Sequence, residues 1–210
     1  MNVERRRLLH SLAGSALIGV SGCLGRPDAS NTSESPTTTA AETPSLSSLS
    51  LTGAVETQST TDHPARISLS LANRGDSAVT VHMGPTLLFT DNSSAQLEWA
   101  DAIAIEPAGR GAELSADPVR EGECWRVPDT AVPVVQSSLD AVPLGSDEPV
   151  TETYEVYTRG VSGTCLPSGQ YRFEDQIYLE TEDRPIVLSV VLSVTDDQQI
   201  RFRSGGVSPP

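Results

Sequence analysis

The chain has 210 residues, with 28 acidic side chains against 14 basic ones and a net charge of −14. That excess repels nucleic-acid phosphates and anionic lipid headgroups, so neither is an expected partner. Aromatic residues make up only 4%, which leaves Val, Leu, Ile and Ala to build any core, and a body of roughly 150 residues is enough for one.

Residues 4–9 read Glu-Arg-Arg-Arg-Leu-Leu, and an apolar stretch of about 13 residues runs from Leu8 to Val20. A charged start, a short apolar run and a small-residue cleavage site mark residues 1–22 as a signal peptide outside the fold. The run is too short for a comfortable membrane span of about 20 residues. Arg5 and Arg6 ahead of Leu8-Leu9 resemble a twin-arginine export signal, with Arg6 and Arg7 as the alternative register. Val20-Ser21-Gly22-Cys23 resembles a lipobox, in which the Cys becomes the lipid-bearing N-terminus. The alternatives are a free Cys in an ordinary signal peptide or an uncleaved anchor. Removing residues 1–22, which carry +2, leaves −16 on the rest. Two lipid chains would hold firmly, at about 0.8 kcal/mol per buried CH₂.

Residues 23–45 are dominated by Ser, Thr, Pro and Ala without apolar period, so they are expected to form a disordered tether that cannot offset its own ordering entropy. Asn31-Thr32-Ser33 and Asn92-Ser93-Ser94 match the N-glycosylation acceptor pattern. The folded body is expected over 46–203, followed by a loose tail at 204–210.

Within the body, residues 46–56 alternate loosely. Ile67, Leu69 and Leu71 alternate cleanly with Arg66, Ser68 and Ser70, the pattern of a half-buried strand. Asn73-Arg74-Gly75-Asp76-Ser77 is a turn, after which Val79 and Val81 restart the alternation. Thr86–Thr90, Gln96–Trp99, Ile103–Glu106 and Glu123–Val127 are short strand candidates. Val132–Val142 is broken by Pro133 and followed by Pro143, which suits an edge or bulged segment. Tyr154, Val156 and Thr158 share one face of the next strand. Tyr171, Phe173, Asp175 and Ile177 share a parity in the one after, and the carboxylate at Asp175 suggests a bulge or break there. Ile186–Val194 is the most apolar strand, and Ile200–Arg203 closes the body. Short strands with turn signals and no 3.6-residue period predict an all-β, antiparallel β-sandwich of immunoglobulin-like type, although alternation does not specify strand order.

Three Cys are present. With Cys23 assigned to lipid, Cys124 and Cys165 remain as an expected disulfide in an exported protein; two free thiols are the alternative. No cofactor or metal is expected. Copper would need two His and a Cys with a Met nearby, whereas only His63, His82 and Met83 follow the leader. Zinc has no tetrahedral set, and no acidic run has the spacing of a calcium loop. Gly160-Val161-Ser162-Gly163 is not a nucleophile elbow, and His is too scarce for a triad. The chain is therefore read as a non-enzyme. Trp99, Trp125, Tyr154, Tyr157 and Tyr178 are candidates for a ligand or carbohydrate surface, with core packing as the plainer alternative.

The chain has no Lys, and together with its acidity this looks like a haloarchaeal composition. Glu121–Pro128, Val142–Val156 and Cys165–Phe173, taken with the export signal, resemble haloarchaeal twin-arginine-exported lipoproteins with an immunoglobulin-like domain of unknown function. That resemblance implies a lipid-anchored domain at the outer face of the cytoplasmic membrane, acting as a non-catalytic binding or structural module for a surface protein or glycan. A more distant resemblance is to proteinase-inhibitor-like sandwich domains, which would need a rigid loop within 107–122 or 143–150.

Overall fold

A computed structural model describes residues 46–88, 102–108, 112–129, 131, 133–135, 139–180 and 185–210, with backbone alone at 112–114 and 133–135. Cys23, Arg5, Arg6, Asn31, Asn92 and the expected strand at Gln96–Trp99 lie outside them, as do the signal peptide and tether.

The period-two segments form strands because each has one apolar face to bury. A single 3₁₀ turn, Leu46–Ser48, precedes β1 (Leu49–Thr57), β2 (Ala65–Asn73), β3 (Val79–Met83), β4 (Ile103–Pro107), β5 (Ala112–Leu114), β6 (Val119–Glu121), β7 (Cys124–Arg126), β8 (Pro133–Val135), β9 (Asp140–Leu144), β10 (Pro149–Thr158), β11 (Gly169–Leu179), β12 (Pro185–Val194) and β13 (Ile200–Ser208).

Two sheets make a sandwich. In one, β1 pairs β2, β2 pairs β10, and β10 pairs β4 on its other edge, all antiparallel. The other runs β13-β12-β11-β3-β9. Ile67, Leu69, Leu71, Ile103, Ile105 and Tyr154 of the first sheet meet Val81, Tyr171, Phe173, Ile177, Leu188 and Val190 of the second in one core. The order β1-β2-β10-β4 facing β12-β11-β3 reproduces the A-B-E-D and G-F-C sheets of an immunoglobulin-like sandwich, with β9 beside β3 and β13 beside β12. Tyr171, near the start of β11, donates its hydroxyl to the Pro167 carbonyl at 2.5 Å, the corner that such folds use at this position.

The segment between β4 and β9 is an addition to this frame. Ala104 and Tyr157 point to the outer face of the first sheet, and Val127 and Ala131 cover them, with Trp125 and Ala116 packed alongside. The β6–β7 hairpin turns at Gly122, whose φ of 65° suits the first central position of a two-residue hairpin turn. β7 also meets the end of β10 in one parallel bridge, Thr158 to Arg126.

One side of the sandwich is closed by β1 and β13. A Cβ on Gly205 would lie 2.4 Å from the Leu51 carbonyl oxygen, and one on Gly53 would lie 2.6 Å from the Phe202 ring. The two backbones approach so closely that only glycine fits. The Gln58 side chain continues the closure: its amide donates to Ile200 O at 2.8 Å and accepts from Ile200 N at 2.9 Å.

Three expectations need correction. β13 continues to Ser208, so the segment expected as a loose tail from 204 is strand as far as that residue. β11 is unbroken and keeps register with β12 from Gly169 to Tyr178; Asp175 turns inward and accepts from the Gln176 amide at 2.6 Å, and the irregularities fall instead at Val55/Thr57 and Val191/Leu192. Thr86–Leu88, the described part of the strand expected at Thr86–Thr90, is a bend, in which Leu88 N donates to the buried Tyr154 hydroxyl at 2.7 Å.

Candidate functional site: a cleft over the disulfide

The cleft at one end of the sandwich is built from segments distant in sequence. Ser59, Thr60 and Thr61 come from the β1–β2 loop, Arg120, Glu123, Cys124 and Trp125 from the hairpin, Cys165 and Leu166 from the β10–β11 loop, and Asp197 to Gln199 from the β12–β13 turn. Its volume is about 290 Å³. Val156 and Thr158, buried residues near the end of β10, also contribute to its lining.

Cys124 and Cys165 are joined across this cleft, with 5.1 Å between their Cα atoms and a sequence separation of 41. The bond ties the added hairpin to the β10–β11 loop of the sandwich. Arg126 makes the same connection noncovalently. Its guanidinium donates to the carbonyls of Val161 and, at 3.1 Å, Thr164, lies 3.7 Å from Cys124 Sγ, and meets the Glu121 carboxylate at 3.2 Å. Asp129 accepts from Gly160 N at 3.0 Å, and Val127 N donates to Thr158 O at 3.0 Å.

Trp125 neighbours Cys124, so strand alternation sends the two side chains to opposite sides. Its indole packs beside the outer cluster, and Nε1 donates to Thr60 O at 2.9 Å, which fixes the β1–β2 loop at the cleft rim. Thr158 Oγ1 accepts from Leu166 N at 2.9 Å. Leu166 has φ of 25°, unusual for a non-glycine residue, and is held there between the disulfide and Pro167. Asp197, at the exposed turn, has its carboxyl below the usual range because the Thr195 hydroxyl hydrogen-bonds to the charged form.

The remaining candidates do not converge on this cleft. His63 lies in the β1–β2 loop with Nδ1 2.8 Å from Pro64 O, and His82 sits on β3 opposite Tyr178 and Ala141. Tyr154 is a core residue, and burial pushes its phenol well above the usual range. Burial raises Tyr157 similarly, and its hydroxyl bond to Glu155 at 2.5 Å adds to the shift. Trp99 lies outside the described residues. Among the described residues, no group of three or more His, Cys, Asp or Glu side chains is placed to hold a metal ion, and no helix is long and apolar enough to cross a membrane. The 143–150 loop is pinned at the opposite end of the sandwich, where Asp147 N donates to Asn73 O at 2.7 Å and Asp147 pairs with Arg74 at 2.9 Å.

A family described as a domain of unknown function, DUF8130, matches residues 3–88. The similarity therefore spans the basic N-terminal segment, Cys23 and the first three strands, together with the β1–β2 side of the cleft. No curated protein and no solved structure matches the chain.

Proposed function

We propose that the chain is a lipoprotein exported through the Arg5-Arg6 signal and held by Cys23 at the outer face of the cytoplasmic membrane. Its sandwich is a non-catalytic binding module that offers the disulfide-framed cleft to a surface glycan or protein. The observation that carries this reading is the placement of the chain ends. β1 starts at Leu49 beside Asn73 and runs toward the cleft, whereas β13 leaves the cleft at Ile200 and returns to Ser208. Both ends of the sandwich thus lie at one end and the cleft at the other, about 27 Å away along β1. The cleft stands at the end of the sandwich opposite the start of β1.

The lining favours a polar ligand. Ser59, Thr60, Thr61, Gln198 and Gln199 line the cleft together with Trp125, a mixture of hydrogen-bonding groups and aromatic surface that suits a sugar ring. The absence of Lys and the acidity support a high-salt habitat, where a carboxylate-rich surface remains solvated.

Two measurements test the proposal. Wild-type protein should pellet with membranes, and Cys23→Ser should release it; a variant that still pellets after a salt wash rejects the lipid anchor. Glycans prepared from the native cell surface should change Trp125 fluorescence, and Trp125→Phe should abolish that change. No response from surface glycans or from pulled-down surface proteins rejects the binding reading.

A further inference from the structure

We infer that Cys124–Cys165 is a thiol-exchange site, at which a small thiol from solution enters the cleft and attacks Cys165. Both cysteines line the open cleft rather than the closed core. They differ in surroundings. Cys124 is only 8% exposed, and its Sγ lies 3.7 Å from the Arg126 guanidinium, whereas Cys165 is half-buried at the loop. A disulfide is attacked at its accessible sulfur and loses the sulfur that is better stabilised as a thiolate. A cation beside a cysteine lowers its thiol pKa and makes it the better leaving group. Both preferences here select the same direction.

The step balances without another oxidant or reductant. The incoming thiolate forms a bond to Cys165 Sγ, the Cys124–Cys165 bond breaks, and its electron pair leaves on Cys124 Sγ beside Arg126. A second thiolate attacking the incoming group's sulfur frees Cys165 as a thiolate and yields the external disulfide. Arg126 holds the Val161 and Thr164 carbonyls independently of the covalent link. The loop bearing Cys165 is thereby kept beside Cys124 after reduction, so the bond can reform. Arg120 and Glu123 also line the cleft, and Glu121 shares the Arg126 charge at 3.2 Å.

The test uses the full chain with Cys23→Ser, so that only this pair reacts. The protein is held folded in reduced glutathione, quenched in acid, alkylated and mapped by mass spectrometry. Glutathione should appear on Cys165 and the alkyl group on Cys124, without denaturant. Arg126→Gln should slow adduct formation about tenfold, because the leaving Cys124 thiolate loses the cation beside it, and Arg126→Lys should restore much of the rate. Far-ultraviolet circular dichroism checks that each variant is folded. A pair that resists glutathione until urea unfolds the chain, an adduct on Cys124, or a folded Arg126→Gln that reacts at the wild-type rate overturns the inference.

Discussion

Gly205→Ala offers the sharpest test of how the sandwich is closed. The added Cβ would lie 2.4 Å from the Leu51 carbonyl oxygen and 3.2 Å from Leu51 Cγ. An ordinary carbon–oxygen contact is about 1 Å longer than the first of these, so one backbone must retreat by nearly that distance. Neither strand is free to do so. Leu51 is paired with Leu71 across β1–β2, and Gly205 with Val190 across β12–β13. Overpacking costs about 1–3 kcal/mol, and a clash with backbone belongs at the upper end, about 3 kcal/mol. For a domain of this size that lowers Tm by about 6–12 °C. Gly206→Ala is the control, because its Cβ would meet only Ser189 Oγ at 3.1 Å, and it should cost under about 1 kcal/mol. Thermal and urea unfolding, followed by circular dichroism, read both variants. The closure reasoning fails if Gly205→Ala lies within about 0.5 kcal/mol of wild type or if Gly206→Ala is the more damaging change.

Replacing Cys124 and Cys165 together by Ser should lower stability by about 4 kcal/mol on the chain-entropy relation for a loop of this length, measured by urea unfolding; an unchanged midpoint would contradict it. Asn73→Ala should cost about 3 kcal/mol, since the buried side chain donates to Ser77 O at 2.7 Å and Leu144 O at 3.3 Å and accepts from Gly75 N at 3.0 Å. Arg74→Ala, which removes the exposed pair with Asp147, should change stability by less than about 1 kcal/mol in the same assay. Burial raises the Tyr154 and Tyr157 phenols and takes Tyr171 to about 12, against 10.0 for an ordinary phenol. The folded chain therefore keeps protons that the unfolded chain releases, and the stability present below pH 10 is lost as pH rises, by up to about 1.4 kcal/mol per pH unit for each phenol. Of the four Tyr, more than one ionising near pH 10, read as tyrosinate absorbance while the fold persists, would refute this.

The core strands were legible because each buries one face. Ile67, Leu69 and Leu71 announce β2, and Tyr154, Val156 and Thr158 announce β10, by parity alone. The same rule misread β11, since a carboxylate at an inward position looks like a slipped register. Asp175 satisfies one of its oxygens from the next backbone amide, a local bond that alternation does not register. Gly205 and Gly206 resembled a tail for a related reason. Glycine weakens a strand in isolation, and its use here depends on β1, some 150 positions earlier, passing against the backbone. The cleft left still less trace, because its residues come from loops and strand ends whose proximity is a consequence of strand order.

That separation bears on what the disulfide does. The cross-link stabilises chiefly by restricting the unfolded chain, whereas Arg126 acts on the folded loop through two carbonyls and a carboxylate. The two devices connect the same segments but govern different states. Opening the bond should therefore lower the unfolding free energy while the cleft keeps its shape, and removing the guanidinium should loosen the cleft while the cross-link remains. Trp125 is placed to report the difference, since its bond to Thr60 O spans from the hairpin to the rim. A cleft whose form and whose stability are held by separate groups would keep its lining through the thiol exchange proposed for it.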